Sequence, residues 1–173
     1  SVTSYSGEKL KVKWGKVTGA SYYQLYRSTS KNGTYSYVAT VKGKEYIDSS
    51  LKTGKSYYYK VRAVNKTGRV KGYSSYSKVV SGSTLQTASI NKVYSYTSTQ
   101  IKLQIKTVKG ASGYQIYRST SKNGNYQKVA ETSSATYLDK KRSAGKTYYY
   151  KVRAIKKQKS GTGYGSFSGI KSC

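Results

Sequence analysis

Hydrophobic and polar residues alternate in several short runs of this chain. Leucine, valine and tryptophan alternate with lysine in residues 10–14, and isoleucine and leucine alternate with lysine and glutamine in residues 101–105. A longer run, residues 57–63, places tyrosine, valine and alanine at every second position. A period of two is typical of half-buried strands in an antiparallel sheet. Because no stretch shows a period of 3.6, we predict an all-β protein.

Turn-forming residues separate these runs. The asparagine–glycine pairs at 32–33 and 123–124 are typical of tight hairpins that need positive φ angles. Gly54 and Gly145 each stand three residues before a tyrosine-rich run and indicate a second kind of turn. The spacing predicts six or seven short strands in each half of the chain, which favours a β-sandwich.

The second half of the chain repeats the first at an offset of 91 residues. Without gaps, 27 of the 45 positions from 19 to 63 are identical to their counterparts. A repeat of this length is typical of a small domain rather than a solenoid unit. We therefore predict two tandem domains, residues 1–83 and 84–173, with the first strand of domain 1 truncated. The absence of methionine indicates a piece of a longer protein.

The charge is strongly positive in both halves. The chain has 33 Lys and Arg against 5 Asp and Glu, for a formal net charge of +28. Such a charge favours anionic partners, whatever the fold. Nucleic acid, sulfated glycans, anionic lipid and teichoic acids of Gram-positive walls are the candidate classes. No apolar run is long enough for a membrane span, so we expect no membrane insertion.

The residue types exclude several chemistries. The chain has no His and only one Cys, Cys173, so a nucleophile–histidine arrangement, a disulfide within the chain and a metal site are not expected. Asp48 and Asp139 occupy equivalent positions, and we expect each to bond local backbone in a turn. Glycoside hydrolysis requires two carboxyl groups across a cleft, which one acid per repeat does not supply. We therefore expect neither catalysis nor a cofactor.

At the level of motifs, the chain resembles the fibronectin type III family. Domain 1 carries this resemblance in Trp14, in residues 23–27 and 46–48, and in the spacing of Leu51, Gly54, Tyr57, Tyr59, Val61 and Ala63. Domain 2 repeats it in residues 114–118 and 137–139 and in Gly145, Tyr148, Tyr150, Val152 and Ala154. The resemblance implies two tandem immunoglobulin-like antiparallel β-sandwiches, with Tyr57 and Tyr148 bonded back to nearby backbone.

The chain departs from the family pattern at a few positions. Thr53 and Ala144 stand where family members usually have proline before the turn glycine. Ile105 replaces the tryptophan in domain 2. Leu51 becomes Arg142 there, so we expect this apolar plug to be lost or reshaped. The lysine- and tyrosine-rich composition resembles modules of secreted or wall-associated Gram-positive proteins. This resemblance implies an extracellular or wall-associated location, beside other domains of a longer protein.

One sheet face is the candidate binding surface. If every second residue of 57–63 points inward, the residues between them point outward, beside those of the neighbouring strand. The ten candidate residues are Gln24, Tyr26, Tyr58, Lys60 and Arg62 in domain 1 and Gln115, Tyr117, Tyr149, Lys151 and Arg153 in domain 2. Their rings can stack on sugars or bases while their cations meet phosphates or sulfates. The alternative is cross-strand packing that only shields the sheet.

We predict a non-catalytic spacer or accessory module that adheres electrostatically to anionic cell-envelope polymers. The alternative is a glycan-binding or adhesion module that uses the exposed tyrosines and cations of that face. Nucleic acid is a third partner class, which we do not favour because the chain carries no known reader motif.

Overall fold

The computed structural model describes residues 1–158 and 161–173 and contains only β-strands as regular elements within them. It forms two compact units, Ser1–Thr84 and Leu85–Cys173. No helix in the described residues is long and apolar enough to cross a membrane.

Unit 1 consists of two antiparallel sheets. Its strands are β1 (Val2–Ser6), β2 (Lys9–Lys13), β3 (Tyr22–Ser28), β4 (Ser36–Val41), β5 (Glu45–Asp48), β6 (Ser56–Thr67), β7 (Val70–Tyr73) and β8 (Val80–Ser83). One sheet has the order β1-β2-β5, and the other has the order β4-β3-β6-β7 with β8 also paired to β6. Side chains from both sheets meet in one core, in which Leu10, Val12, Leu25 and Tyr59 are buried.

Unit 2 repeats this topology. Its strands are β9 (Ser89–Thr97), β10 (Gln100–Lys106), β11 (Gly113–Ser119), β12 (Gln127–Thr132), β13 (Thr136–Asp139), β14 (Tyr149–Gln158), β15 (Gly161–Tyr164) and β16 (Lys171–Ser172). The sheets have the orders β13-β10-β9 and β12-β11-β14-β15, with β16 also paired to β14. The first strand of unit 1 has five residues, whereas the first strand of unit 2 has nine.

The structure describes eight strands in unit 1 rather than the six or seven that we predicted, because the last strand is interrupted. Residues 74–79 leave the regular ladder between β7 and β8. Ser74 and Ser77 keep this segment attached to β6, since their hydroxyls accept hydrogen bonds from Ala63 N at 2.9 Å and Val61 N at 3.1 Å. In unit 2, Ser168 Oγ accepts from Val152 N in the same way, at 3.0 Å.

The asparagine–glycine turns are not the positive-φ hairpins that we predicted. Neither Gly33 nor Gly124 has a positive φ. A Cβ added at Gly33 would lie 3.1 Å from Ser30 Cβ and 3.2 Å from Ser28 Oγ, and the approach at Gly124 is equally tight. Glycine therefore stands at these turns because the chain packs closely on itself. The turns at Gly54 and Gly145 do take positive φ, at 69° and 71°.

Candidate functional site

The predicted face is the outer surface of the larger sheet in each unit. On β6, Tyr57 and Tyr59 are buried, while Tyr58, Lys60 and Arg62 are only half-buried. The register of β3 and β6 places Gln24 opposite Arg62 and Tyr26 opposite Lys60. Since directly opposed residues of an antiparallel pair share a face, these side chains come together as the alternation indicated.

Arg62 is the centre of the cluster in unit 1. Its Nε donates to Gln24 Oε1 at 2.9 Å, and its Nη2 donates to the Tyr26 hydroxyl at 3.0 Å. The guanidinium also lies 4.3 Å from the ring centroid of Tyr73 and 5.2 Å from that of Tyr76. These contacts hold the cation within the surface, where aromatic quadrupoles and oxygen acceptors stabilise its charge.

Lys60 lies between the Tyr76 ring and one further ring, that of Tyr35. Its Nζ is 4.0 Å from the ring centroid of Tyr76 and 4.7 Å from that of Tyr35. The rings of Tyr26 and Tyr76 meet edge to face with centroids 5.2 Å apart. Cations and rings thus alternate across the sheet, and each lysine or arginine is attracted to the aromatic faces beside it.

Unit 2 reproduces the cluster with one ring exchanged. Arg153 donates to Gln115 at 2.8 Å and to Tyr117 at 3.1 Å, and it lies 4.2 Å from the ring centroid of Tyr164. Lys151 is 4.7 Å from the ring of Phe167, which occupies the place of Tyr76. We call these residues the cation–aromatic face. Its members are Gln24, Tyr26, Tyr35, Lys60, Arg62, Tyr73 and Tyr76 in unit 1 and Gln115, Tyr117, Tyr126, Lys151, Arg153, Tyr164 and Phe167 in unit 2.

Tyr58 and Tyr149 lie beside the cation–aromatic face rather than in it. Both are half-buried, and neither ring stacks on a ring or cation within the described part of the chain. Burial raises the pKa of Tyr35 above its ordinary value, and the electrostatic interaction with Tyr58 raises it further.

The alternation of polar and apolar residues did not reveal six members of this face. They are Tyr35, Tyr73, Tyr76, Tyr126, Tyr164 and Phe167. They follow the asparagine–glycine turns or belong to the interrupted last strand, where the chain has no period of two. Their recurrence at the offset of 91 residues is the signal that could have identified them.

We had expected Asp48 to bond local backbone, but it bonds the opposite sheet. Arg27 Nη1 donates to both of its carboxylate oxygens at 2.9 Å, and the Tyr59 hydroxyl donates to Oδ2 at 2.7 Å. Burial, with the hydrogen bond and charge of Asp48, raises the pKa of Tyr59 above its ordinary value of 10.0. The same contacts recur in unit 2 among Arg118, Asp139 and Tyr150. Asp48 and Asp139 are therefore buried, and both carboxylate oxygens of each accept hydrogen bonds.

The tyrosine corner that the resemblance implied is present in both units. Tyr57 Oη accepts a hydrogen bond from Lys52 N at 2.9 Å, and Tyr148 Oη accepts one from Ser143 N at 3.2 Å. Arg142, which replaces Leu51, places its Nε 3.4 Å from the Asp139 carboxylate. The reshaped turn therefore substitutes an ion pair for an apolar contact.

The acids of the chain are largely paired. Besides the two buried aspartates, Glu45 contacts Lys11 and Lys13, and Glu131 contacts Lys157 at 3.1 Å. The hydrogen bond from Lys13 and the charges of Lys11 and Lys13 lower the pKa of Glu45. No group of three His, Cys, Asp or Glu side chains that could hold a metal ion occurs within residues 1–158 and 161–173. The chemistry that the surface presents is therefore cationic and aromatic.

No protein-family model matches the chain. Exoglucanase B of Cellulomonas fimi is 29% identical over 150 residues, which are 80% of this chain and 12% of that protein. The chain thus spans a small part of the length of this curated relative.

Two solved structures align with the whole chain. The FN1–FN3 domains of chicken CNTN1 are covered over 65% of their length, with a TM-score of 0.56 and 19% identity. A segment of two fibronectin type III domains from chicken tenascin is covered over 94%, with a TM-score of 0.43 and 18% identity. The paired sheets of each unit and the match to the CNTN1 domains confirm the fold that the motifs implied, namely two tandem antiparallel sandwiches of the fibronectin type III kind.

Proposed function

We propose that this chain is a non-catalytic accessory region of a secreted or wall-associated bacterial protein, and that it adheres to anionic polymers of the cell envelope. It would space or support other domains of a longer protein. The observation that carries this proposal is the unbalanced charge, 33 cations against 5 acids. Four of those acids are already paired with Lys or Arg.

The positive charge is carried by the folded units themselves. Exposed lysines occur on the strands and turns of both, so a polyanion meets cations on many sides. Each exposed contact contributes little, but many contacts along one polymer act together. Such binding weakens steeply as salt rises, because the contacts are screened beyond about 10 Å at 0.1 M ionic strength.

The similarity to Exoglucanase B supports an accessory role in a bacterial enzyme. The matched segment is 12% of that protein, so most of its length has no counterpart here. The paired, buried aspartates also favour a role outside catalysis, since both oxygens of Asp48 are occupied by Arg27. An enzymatic activity of the longer protein, with its substrates and partners, is likewise a proposal.

A glycan-binding module is the second candidate. Tyr37, Tyr73 and Tyr76 expose 55%, 50% and 41% of their surface around the face in unit 1, which offers rings to a sugar. The cations beside Tyr73 and Tyr76 occupy part of that aromatic surface, so we place this candidate second. Nucleic acid is a third partner class that the charge allows.

The proposal is tested by pull-down on purified Gram-positive cell walls, with and without teichoic acid, across a salt series. We expect binding at low salt that is lost when teichoic acid is removed or salt is raised. Binding that persists in high salt would indicate the glycan-binding candidate instead. Absence of binding at low salt would refute adhesion and leave the spacer role. Competition by teichoic acid against DNA separates adhesion from nucleic-acid binding.

A further inference from the structure

An open groove lies at one end of unit 1, outside the cation–aromatic face. It has a volume of about 610 Å³ and lies where the loop after β5 meets the start of β6. The residues that line it are Arg27, Thr29, Ser50, Leu51, Lys52, Lys55, Ser56 and Tyr57. Three are cationic, three carry aliphatic hydroxyls, and none carries a carboxylate.

Arg27 retains hydrogen-bonding capacity at the groove. Its Nη1 binds Asp48, while its Nε and Nη2 donate to no acceptor within residues 1–158 and 161–173. The guanidinium lies 5.6 Å from the ring centroid of Tyr57, and the Arg27 side chain is 35% exposed. The acid that orients Arg27 is itself 3% exposed. The groove therefore presents the free edge of a fixed guanidinium to solvent.

The two lysines extend from a loop whose backbone is held in place. Lys52 N donates to Tyr57 Oη at 2.9 Å, and Thr84 Oγ1 donates to Lys52 O at 2.7 Å. Lys55 N donates to Thr84 Oγ1 at 3.2 Å. The loop turns through Ser50, whose φ is 60°. A backbone fixed in this way reduces the ordering cost of bringing two ammonium groups to one anion.

We propose that this groove binds a single phosphate or sulfate group of an anionic polymer, with Arg27, Lys52 and Lys55 as its cationic contacts. The inference rests on the proposed envelope adhesion and assigns it a defined subsite. Asp48 holds Nη1 of Arg27, but no carboxylate lines the groove itself. The remaining donors of the guanidinium, the two ammonium groups and the nearby hydroxyls match the donor requirement of a tetrahedral oxyanion.

Unit 2 retains part of this arrangement. Arg118 and Lys146 stand at the positions of Arg27 and Lys55, but serine occupies the position of Lys52. Arg142 replaces the leucine of unit 1 and contacts the Asp139 carboxylate. The inference therefore concerns unit 1, and unit 2 shows that the fold accepts serine at the position of Lys52.

The test compares two variants of equal charge on the full chain. K52Q/K55Q removes the two groove lysines, and K66Q/K71Q removes two exposed lysines in the hairpin at the other end of β6. Dissociation constants are measured on polyglycerol phosphate and on heparin at about 0.1 M salt, with circular dichroism to confirm folding. Titration with inorganic sulfate at constant ionic strength, followed by amide NMR shifts, locates the contact.

We expect K52Q/K55Q to weaken binding about ten-fold, and K66Q/K71Q about two-fold, because only the groove lysines share one anion with Arg27. Sulfate should shift the amides of residues 50–56 first. The polymer on which K52Q/K55Q loses more affinity identifies the oxyanion that the groove prefers. Equal losses of affinity in the two variants would overturn the groove as a binding subsite and leave diffuse adhesion as the account. If the unchanged protein binds neither polymer, both the subsite and the proposed adhesion are overturned.

Discussion

The hydroxyl of Tyr59 on β6 donates a 2.7 Å hydrogen bond to the carboxylate of Asp48 on β5, and so joins the two sheets of unit 1 through the core. Tyr150 and Asp139 repeat this contact in unit 2 at the same distance. Since each aspartate also binds an arginine of the larger sheet, a polar link crosses each sandwich. Removal of one partner from a buried polar link of this kind lowers the free energy of unfolding, because the other partner is left unpaired in the core.

Replacement of Tyr59 by phenylalanine removes one donor from a buried carboxylate and keeps the ring. We expect Y59F to lower the free energy of unfolding by about 1–3 kcal/mol, and Y150F to do the same in unit 2. Urea unfolding measures the loss. Y73F is the matched control because half of its surface is exposed, and it should change stability by less than about 0.5 kcal/mol. Equal effects of Y59F and Y73F would contradict the role assigned to this bond.

Stability should fall in alkali because of the same tyrosines. Folding raises the pKa of Tyr59 and of Tyr150 above the ordinary value of 10.0. The unfolded chain releases these protons near pH 10, while the folded chain retains them. The contribution of the two tyrosines to the free energy of unfolding is therefore complete below pH 10 and decreases as pH rises above it. Urea unfolding between pH 8 and 12 measures this decrease. Y59F/Y150F should lose stability less steeply over this pH range. If its stability falls as steeply as that of the unchanged protein, the two tyrosines are not the cause of the decrease.

The cation–aromatic face should stabilise its unit. R62A removes two hydrogen bonds and the contacts with Tyr73 and Tyr76, and we expect a loss of about 1–2 kcal/mol. K66A, at an exposed lysine four positions along the same strand, should lie within about 0.5 kcal/mol of the unchanged protein. Thermal or urea unfolding of both variants gives the comparison. A neutral R62A would contradict a stabilising role of the cation–aromatic face.

Tyr58 and Tyr149 test one form of the glycan-binding candidate, in which their rings stack on a sugar. If adhesion is electrostatic, Y58A/Y149A should retain binding to teichoic acid within about two-fold, because no charge is removed. If the chain is a glycan-binding module that stacks these rings, the same variant should lose saturable polysaccharide binding. Isothermal titration with each polymer measures both. Circular dichroism controls for folding, since both side chains are half-buried in β-strands.

The alternation at residues 57–63 was sufficient to predict which side chains of β6 face outward. The pleat of a strand places successive side chains on opposite faces, and the apolar set faces the core. The same argument placed Gln24 and Tyr26 beside Lys60 and Arg62. It did not place Tyr73 and Tyr76 against Arg62. Tyr73 ends β7, whose four residues are all exposed and show no alternation, and Tyr76 lies in residues 74–79, which leave the ladder. Contacts made by irregular segments depend on the closure of the whole sheet.

The sequence by itself determined the class of fold, the tandem repetition and the excess of positive charge, because these follow from period, offset and composition. Only the tertiary structure decided what the individual polar groups do. Asp48 was expected to bond a nearby turn, and Gly33 was expected to supply a positive φ. The fold instead brought Arg27 and Tyr59 to the aspartate, and it packed Ser28 and Ser30 against the glycine. Arg27 and Tyr59 lie on other strands than Asp48, 21 and 11 residues away along the chain, where local sequence patterns do not reach. Ser28 and Ser30 lie within five residues of Gly33, and there the packing of the turn itself decided the contact.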